Sequence, residues 1–190
     1  SEVFLDLLPQ PLEPVDDGWQ ETRIWCPSCG KRRLIGRLVP SAGELALRCA
    51  DCTPAPNMYI AYAQLPALMQ GIKSYKPALS RLMSWSDEYY RRGRVGRIVP
   101  CLFCGHPTQL RDGLPIDMPE ALHGMSPLYM TCEHCGETTS TGHAVIGLCM
   151  PEGQRFWKAH PKIRLQSAAE IDVAGSRAIV SSFASLTDSA

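Results

Sequence analysis

No stretch of this 190-residue chain approaches the ~18–20 consecutive apolar residues of a membrane-spanning helix, which excludes a helical membrane span. Residues 1–21 hold six acids (Glu2, Asp6, Glu13, Asp16, Asp17, Glu21) and no Lys or Arg. That opening therefore lacks the basic start of a secretory signal peptide. Neither an HExxH motif nor an H-x-E deaminase motif occurs, which removes those classes of zinc enzyme. The formal net charge is zero and the pI is near 6.9, short of the strongly basic balance (above ~9) of many nucleic-acid-binding domains.

Cysteine, by contrast, is abundant. Eight of the nine fall into Cys-x-x-Cys pairs: Cys26/Cys29, Cys49/Cys52, Cys101/Cys104 and Cys132/Cys135. One such turn offers two sulfurs to a tetrahedral centre, and a second turn from a facing hairpin completes the shell. The 19 residues between Cys29 and Cys49 match zinc-ribbon spacing. The longer gap from Cys104 to Cys132 implies an insertion. The expectation is two structural Zn2+ ions, on Cys26, Cys29, Cys49 and Cys52 and on Cys101, Cys104, Cys132 and Cys135. So many thiols without a secretory signal point to a reducing cytoplasm, where paired cysteines bind metal rather than form disulfides.

Iron and an Fe–S cluster also accept four thiolates; the long, Arg-rich first hairpin and the presence of two such sites favour zinc. Four cysteines leave no open position for a reacting water, so no enzyme activity is expected. A redox role for Cys26-Pro-Ser-Cys29 would need an exposed pair at a helix N-terminus. His106, His134 and His143 lie near the second set but are surplus to it. Cys149, in an apolar run, reads as a buried thiol.

Charge is unevenly placed. Residues 22–97 hold 13 Lys/Arg against four Asp/Glu. Each four-thiolate zinc centre adds about two negative charges, and part of the basic surplus, Lys31, Arg32 and Arg33 above all, balances the first. The run Tyr89-Tyr-Arg-Arg-Gly-Arg-Val-Gly-Arg97 mixes rings and cations, as nucleic-acid surfaces do. Its plainer reading is a solvated helix end with arginines favouring the C-terminal dipole. The candidate nucleic-acid or partner contacts are Arg32, Arg33, Arg91, Arg92, Arg94 and Arg97.

The expected fold class is small, metal-stabilised α+β: two antiparallel zinc ribbons joined by a helical spacer, with a C-terminal helix and β-hairpin. Residues 1–21 form an acidic, Pro-rich linker and 22–56 the first ribbon, with strands at 33–39 and 44–49. Residues 57–94 are the spacer, with helices opening at Pro66 and Pro77. In the second, Leu79, Leu82, Met83, Ser86, Tyr89 and Tyr90 recur at helical spacing and Gly93 ends the helix. The second ribbon spans 95–151. It carries an insertion at 112–127 with a short helix at 119–123, and a strand over 138–149. Residues 152–190 supply a helix ending before Pro161 and a hairpin turning at 174–176. The hairpin's second strand, 177–186, is long for its partner, 170–173, which suggests a third strand that is missing or supplied by another chain.

From Pro151 onward, the segment PEGQRFWKAHPKIR and the hairpin ending AGSRAIVSSFASLTDSA resemble C-terminal extensions of bacterial sigma-70-type (ECF-like) sigma factors and of some ArsR-like regulators. The opening VFLDLLPQPLEPVDDGW is similar to the linker leaving a sigma factor's last DNA-binding helix. The resemblance covers residues 95–190 and the linker. It implies a noncatalytic zinc-binding module of a transcription factor, touching transcription machinery or nucleic acid, with neither a membrane nor a small-molecule substrate as partner. No promoter-reading helix-turn-helix is recognisable, so no DNA-contacting residue carries over. The alternatives are a general zinc-ribbon adaptor or a thiol redox or metal sensor.

Overall fold

A computed structural model of the chain describes residues 18–53, 58–113 and 127–186. Four strands, β1 (Gln20–Trp25), β2 (Arg33–Val39), β3 (Glu44–Arg48) and β4 (Ala61–Gln64), form one antiparallel sheet in that order. Alternation drives it: Leu34, Leu45 and Leu47 are wholly buried while Arg33 and Ile35 face outward. The β2–β3 turn closes at Gly43, whose φ is 67°. One of these strands, β4, lies outside the expected ribbon, in the stretch expected to be helical, while β1 begins two residues before the ribbon's expected start at 22. Ala61-Tyr-Ala-Gln has only Tyr62 to favour a strand, so its local preference is weak; pairing Leu45 with Ala63 makes it a strand.

Helix α1 (Pro66–Met69) begins at the expected proline. Helix α2 (Tyr75–Gly96) begins two residues before Pro77 and runs past Gly93. Gly93 is a packing glycine rather than a stop, since a Cβ there would lie 2.8 Å from Val99 and 3.0 Å from Leu110. The left-handed residue that ends the helix is Arg97, at φ 55°, with its N–H on the Gly93 carbonyl at 2.7 Å.

Contacts divide the chain into two units. The first comprises the described residues up to 82 with 158–164 and 185–186. Its core gathers Ile24, Leu34, Leu45, Leu47, Met69 and Ala78, and the Tyr75 hydroxyl donates to the Gly36 carbonyl at 2.6 Å. The second comprises the described residues of 83–157 and 165–184. There β5 (Ile98–Pro100) pairs with β6 (Pro107–Gln109), and β7 (Arg111–Asp112), β8 (Pro127–Thr131) and β9 (Thr138–Gly142) form a three-stranded sheet. Tyr89, Tyr90, Val99, Leu110, Leu128, Met130 and Ile146 make its core.

The strand expected over 138–149 is split: β9 stops at Gly142, and α3 (His143–Cys149) follows. Residues 144, 146 and 148 are buried and mimic strand alternation, but 144 with 148 and 146 with 149 also lie on one helical face. Helix α4 (Pro151–Ala159) ends before Pro161 as expected. The hairpin β10 (Ile163–Val173) and β11 (Ser176–Ser185) turns at Ala174 and Gly175, both at positive φ. Its strands have 11 and 10 residues, so the length mismatch that suggested a third strand disappears. The helix expected at 119–123 lies outside the described residues.

Candidate metal centres

Each Cys-x-x-Cys turn is built by the same backbone device. The residue after the second cysteine returns its N–H to the first cysteine's carbonyl: Gly30 to Cys26 at 2.8 Å, Gly105 to Cys101 at 2.9 Å and Gly136 to Cys132 at 2.8 Å. These glycines have φ of 65°, 75° and 77°, a region that strains any residue with a Cβ. Thr53 makes the same bond to Cys49 at 2.9 Å without a positive φ. The remaining difference is local. In the glycine turns the first cysteine's N–H donates to a carbonyl five or six residues on (Arg32, His106 or Glu137), whereas that of Cys49 donates to Thr53 Oγ1 at 2.9 Å. The Thr53 hydroxyl donates in turn to the Cys49 carbonyl at 2.9 Å. Thr53 therefore replaces a piece of backbone with its own side chain, a role the sequence signals only as a missing glycine.

The turns meet in two groups of four, Cys26/Cys29/Cys49/Cys52 and Cys101/Cys104/Cys132/Cys135, with the sulfurs of each group within 4.8 Å of one another. The first group is supplied by the first unit and the second by the second. Measured Sγ–Sγ separations are 3.9 Å (Cys26–Cys52), 3.8 Å (Cys29–Cys49), 3.7 Å (Cys101–Cys135) and 3.6 Å (Cys104–Cys132). Four sulfurs bonded at about 2.3 Å to one tetrahedral ion stand about 3.8 Å apart; a disulfide requires about 2.05 Å. The donor sets therefore fit one tetrahedral metal ion each.

Electrostatics agree. Burial pushes the Cys26 thiol up to about 12 and raises Cys52 further. Burial also opposes ionisation of Cys29, but the backbone N–H groups of Lys31 and Arg32 outweigh it and pull that thiol down to about 7. In the second group the Thr108 hydroxyl and the Cys135 N–H pull Cys132 down to about 5. One thiolate forms readily in each group, and a bound cation is what makes four adjacent ones tolerable.

Neither group includes a His, Asp or Glu among the described residues. His106 and His134 stack on each other at 5.1 Å, and His143 lies 3.9 Å from Asp112. Cys149 is buried, and burial holds its thiol up at about 12. Beside the second group, a cleft of about 340 Å³ is lined by Arg97, His106, Thr108, Arg111 and Glu133 among others. Thr108 Oγ1 there also lies 2.9 Å from the His106 carbonyl.

The arginines singled out from the sequence are not brought together. Arg32 pairs with Asp51 at 3.4 Å, Arg91 with Asp87 at 3.9 Å and Arg97 with Asp112 at 2.9 Å, while Arg92 pairs with Glu88. Arg33 lies over the Trp25 ring at 4.9 Å. The Arg94 side chain lies outside the described set. Comparison with protein-family models, curated proteins and solved structures returned no match to this chain.

Proposed function

We propose that this chain is a noncatalytic, two-zinc interaction module of a bacterial transcription factor, holding surfaces for protein or nucleic-acid contact. The carrying observation is the pair of four-sulfur groups at tetrahedral spacing. Zinc suits them because it takes four thiolates in a closed, redox-silent shell, and a closed shell holds structure rather than a reacting water. The transcription assignment rests on the likeness of FWKAHPKIR and its flanking hairpin to sigma-factor extensions. Cytoplasmic residence follows from the same thiol chemistry, since reduced cysteines are needed for the metal.

The purified chain should be colourless and carry two zinc ions by elemental analysis; a red or brown protein, or one metal per chain, overturns the zinc assignment. Equilibrium binding of the zinc-loaded chain to purified bacterial RNA polymerase tests the transcription role. Saturable binding supports it, and absence of binding to both polymerase and nucleic acid ends it.

A further inference from the structure

Resting on that reading as an interaction module, we propose that the outward face of the β1–β4 sheet binds single-stranded nucleic acid. Phosphates would sit among Arg23, Arg33, Lys76 and Lys162 around Trp25, and a base would stack on Tyr62. The register places these residues. Leu34, Leu45 and Leu47 take the inner face, so their neighbours along each strand face outward: Arg23 and Trp25 on β1, Arg33 and Arg37 on β2, Arg48 on β3 and Tyr62 on β4. Trp25 is directly opposite Arg33.

Two tryptophans hold the cations in place. The Arg33 guanidinium and the Lys162 amine stand 4.9 Å and 4.7 Å from the centre of the Trp25 ring. Arg37 and Arg48 stand 5.3 Å and 5.6 Å from Trp19. A cation seated on a ring has already given up much of its side-chain freedom, so less is lost when it meets a phosphate. Arg37 is matched by Glu44. Among the described residues, no carboxylate comes within ion-pair distance of Arg33, Lys76 or Lys162. The Lys76 amine is held below its usual range by burial and then by Arg23 and Arg33. An anion seated between these cations would offset that repulsion.

Tyr62 is 44% exposed, with the Tyr59 ring 4.9 Å away. Its ring offers the sequence-tolerant stacking surface a single strand needs. A four-stranded sheet spans about 14 Å across its strands, and sheets of that size stack two or three bases on their faces. A DNA groove admits a helix or a two-stranded ribbon, not a broad sheet face, so the shape favours a single strand over a duplex. The 13-to-4 cation surplus of residues 22–97 complements it.

The test is fluorescence anisotropy of the full zinc-loaded chain with a labelled oligothymidylate of ~20 nucleotides and with a duplex of equal length. The single strand should bind at low salt and lose roughly fiftyfold in affinity between about 50 and 200 mM salt, the slope for about four neutralised phosphates. Arg33→Gln with Lys162→Gln should weaken binding at least about tenfold while both metals are retained, and Tyr62→Ala roughly tenfold. Arg91→Gln with Arg92→Gln, in the second unit, should change it less than about twofold. Failure to bind the single strand, equal or tighter binding of the duplex, or indifference to the Arg33/Lys162 pair overturns the proposal. Polymerase binding that survives those substitutions would leave the module reading intact while this face loses its ligand. Polymerase binding lost with them, in a chain that binds no oligonucleotide, makes the face a protein-docking surface instead.

Discussion

The two four-cysteine groups share a backbone recipe and differ in what surrounds them. In the first, Cys26 and Cys49 are completely buried and Cys29 and Cys52 half-buried; in the second, Cys104 and Cys135 are exposed. The first belongs to a unit with a four-stranded sheet, the second to one whose sheets have only two or three strands. Gly30 is pressed against Ile163 and Leu186, whereas Gly105 and Gly136 face open space. A bond from the Leu186 N–H to the Lys162 carbonyl at 2.8 Å closes the hairpin root that lies on Gly30. The lesson is that identical ligand chemistry does not give identical centres, because shielding of sulfur is a tertiary property.

The largest effect should come from breaking a shell. Structural zinc is worth ~10–16 kcal/mol in small peptides, comparable to a domain's whole stability. Cys49→Ser should therefore melt the β1–β4 sheet while the second centre keeps its ion, as read by elemental analysis and amide NMR. Loss of both ions together would show that the two units fold as one and would erase the comparison.

Alanine at the two kinds of glycine sharpens it. At Gly105 it costs only the left-handed backbone, about 1–2 kcal/mol. At Gly30 a Cβ would also lie 2.3 Å from Leu186 and 2.6 Å from the Ile163 carbonyl, so the total should reach about 3 kcal/mol or more. Denaturant midpoints of the two variants measure the difference, and equal losses would refute the close packing.

Thr53→Ala removes the side-chain partner of the buried Cys49 N–H and should cost about 1–3 kcal/mol. Thr53→Ser keeps the oxygen and should cost less than half as much. If both serine and alanine cost the same, the methyl rather than the hydroxyl holds the turn.

The smallest expected difference is kinetic. A chromophoric chelator should strip the second centre first, about tenfold faster, equivalent to about 1.4 kcal/mol of barrier. Its exposed Cys104 and Cys135 sulfurs let the competitor attack directly. Release in the reverse order would mean that exposure does not govern lability here.

Much of this was legible in the chain. The eight ligand candidates, the glycines at the three left-handed turns, β2, β3, α4 and the final hairpin all follow from spacing and turn chemistry, which are local. Short strands were less visible. Ala61–Gln64 has only Tyr62 to favour a strand, and His143–Cys149 carries a pattern that strand and helix satisfy equally. Gly93 looked like a stop because sequence alone does not show that Val99 and Leu110 press against it. The arginine-rich run at 89–97 drew attention by density, yet three of its members are ion-paired, while Arg33 and Lys162, far apart in sequence, converge on Trp25.

By itself, then, the sequence determined which residues could bind metal and how each turn offers its sulfurs, because a Cys-x-x-Cys turn is set within a few residues by backbone bonds, with a positive φ at glycine in three turns and the Thr53 side chain in the fourth. Only the tertiary structure decided which centre is shielded, which acids meet Arg32 and Arg97, and which face of the sheet gathers rings and cations. Those depend on strand register and on segments more than a hundred residues apart meeting at Trp25 and Gly30, and no local pattern encodes such a meeting.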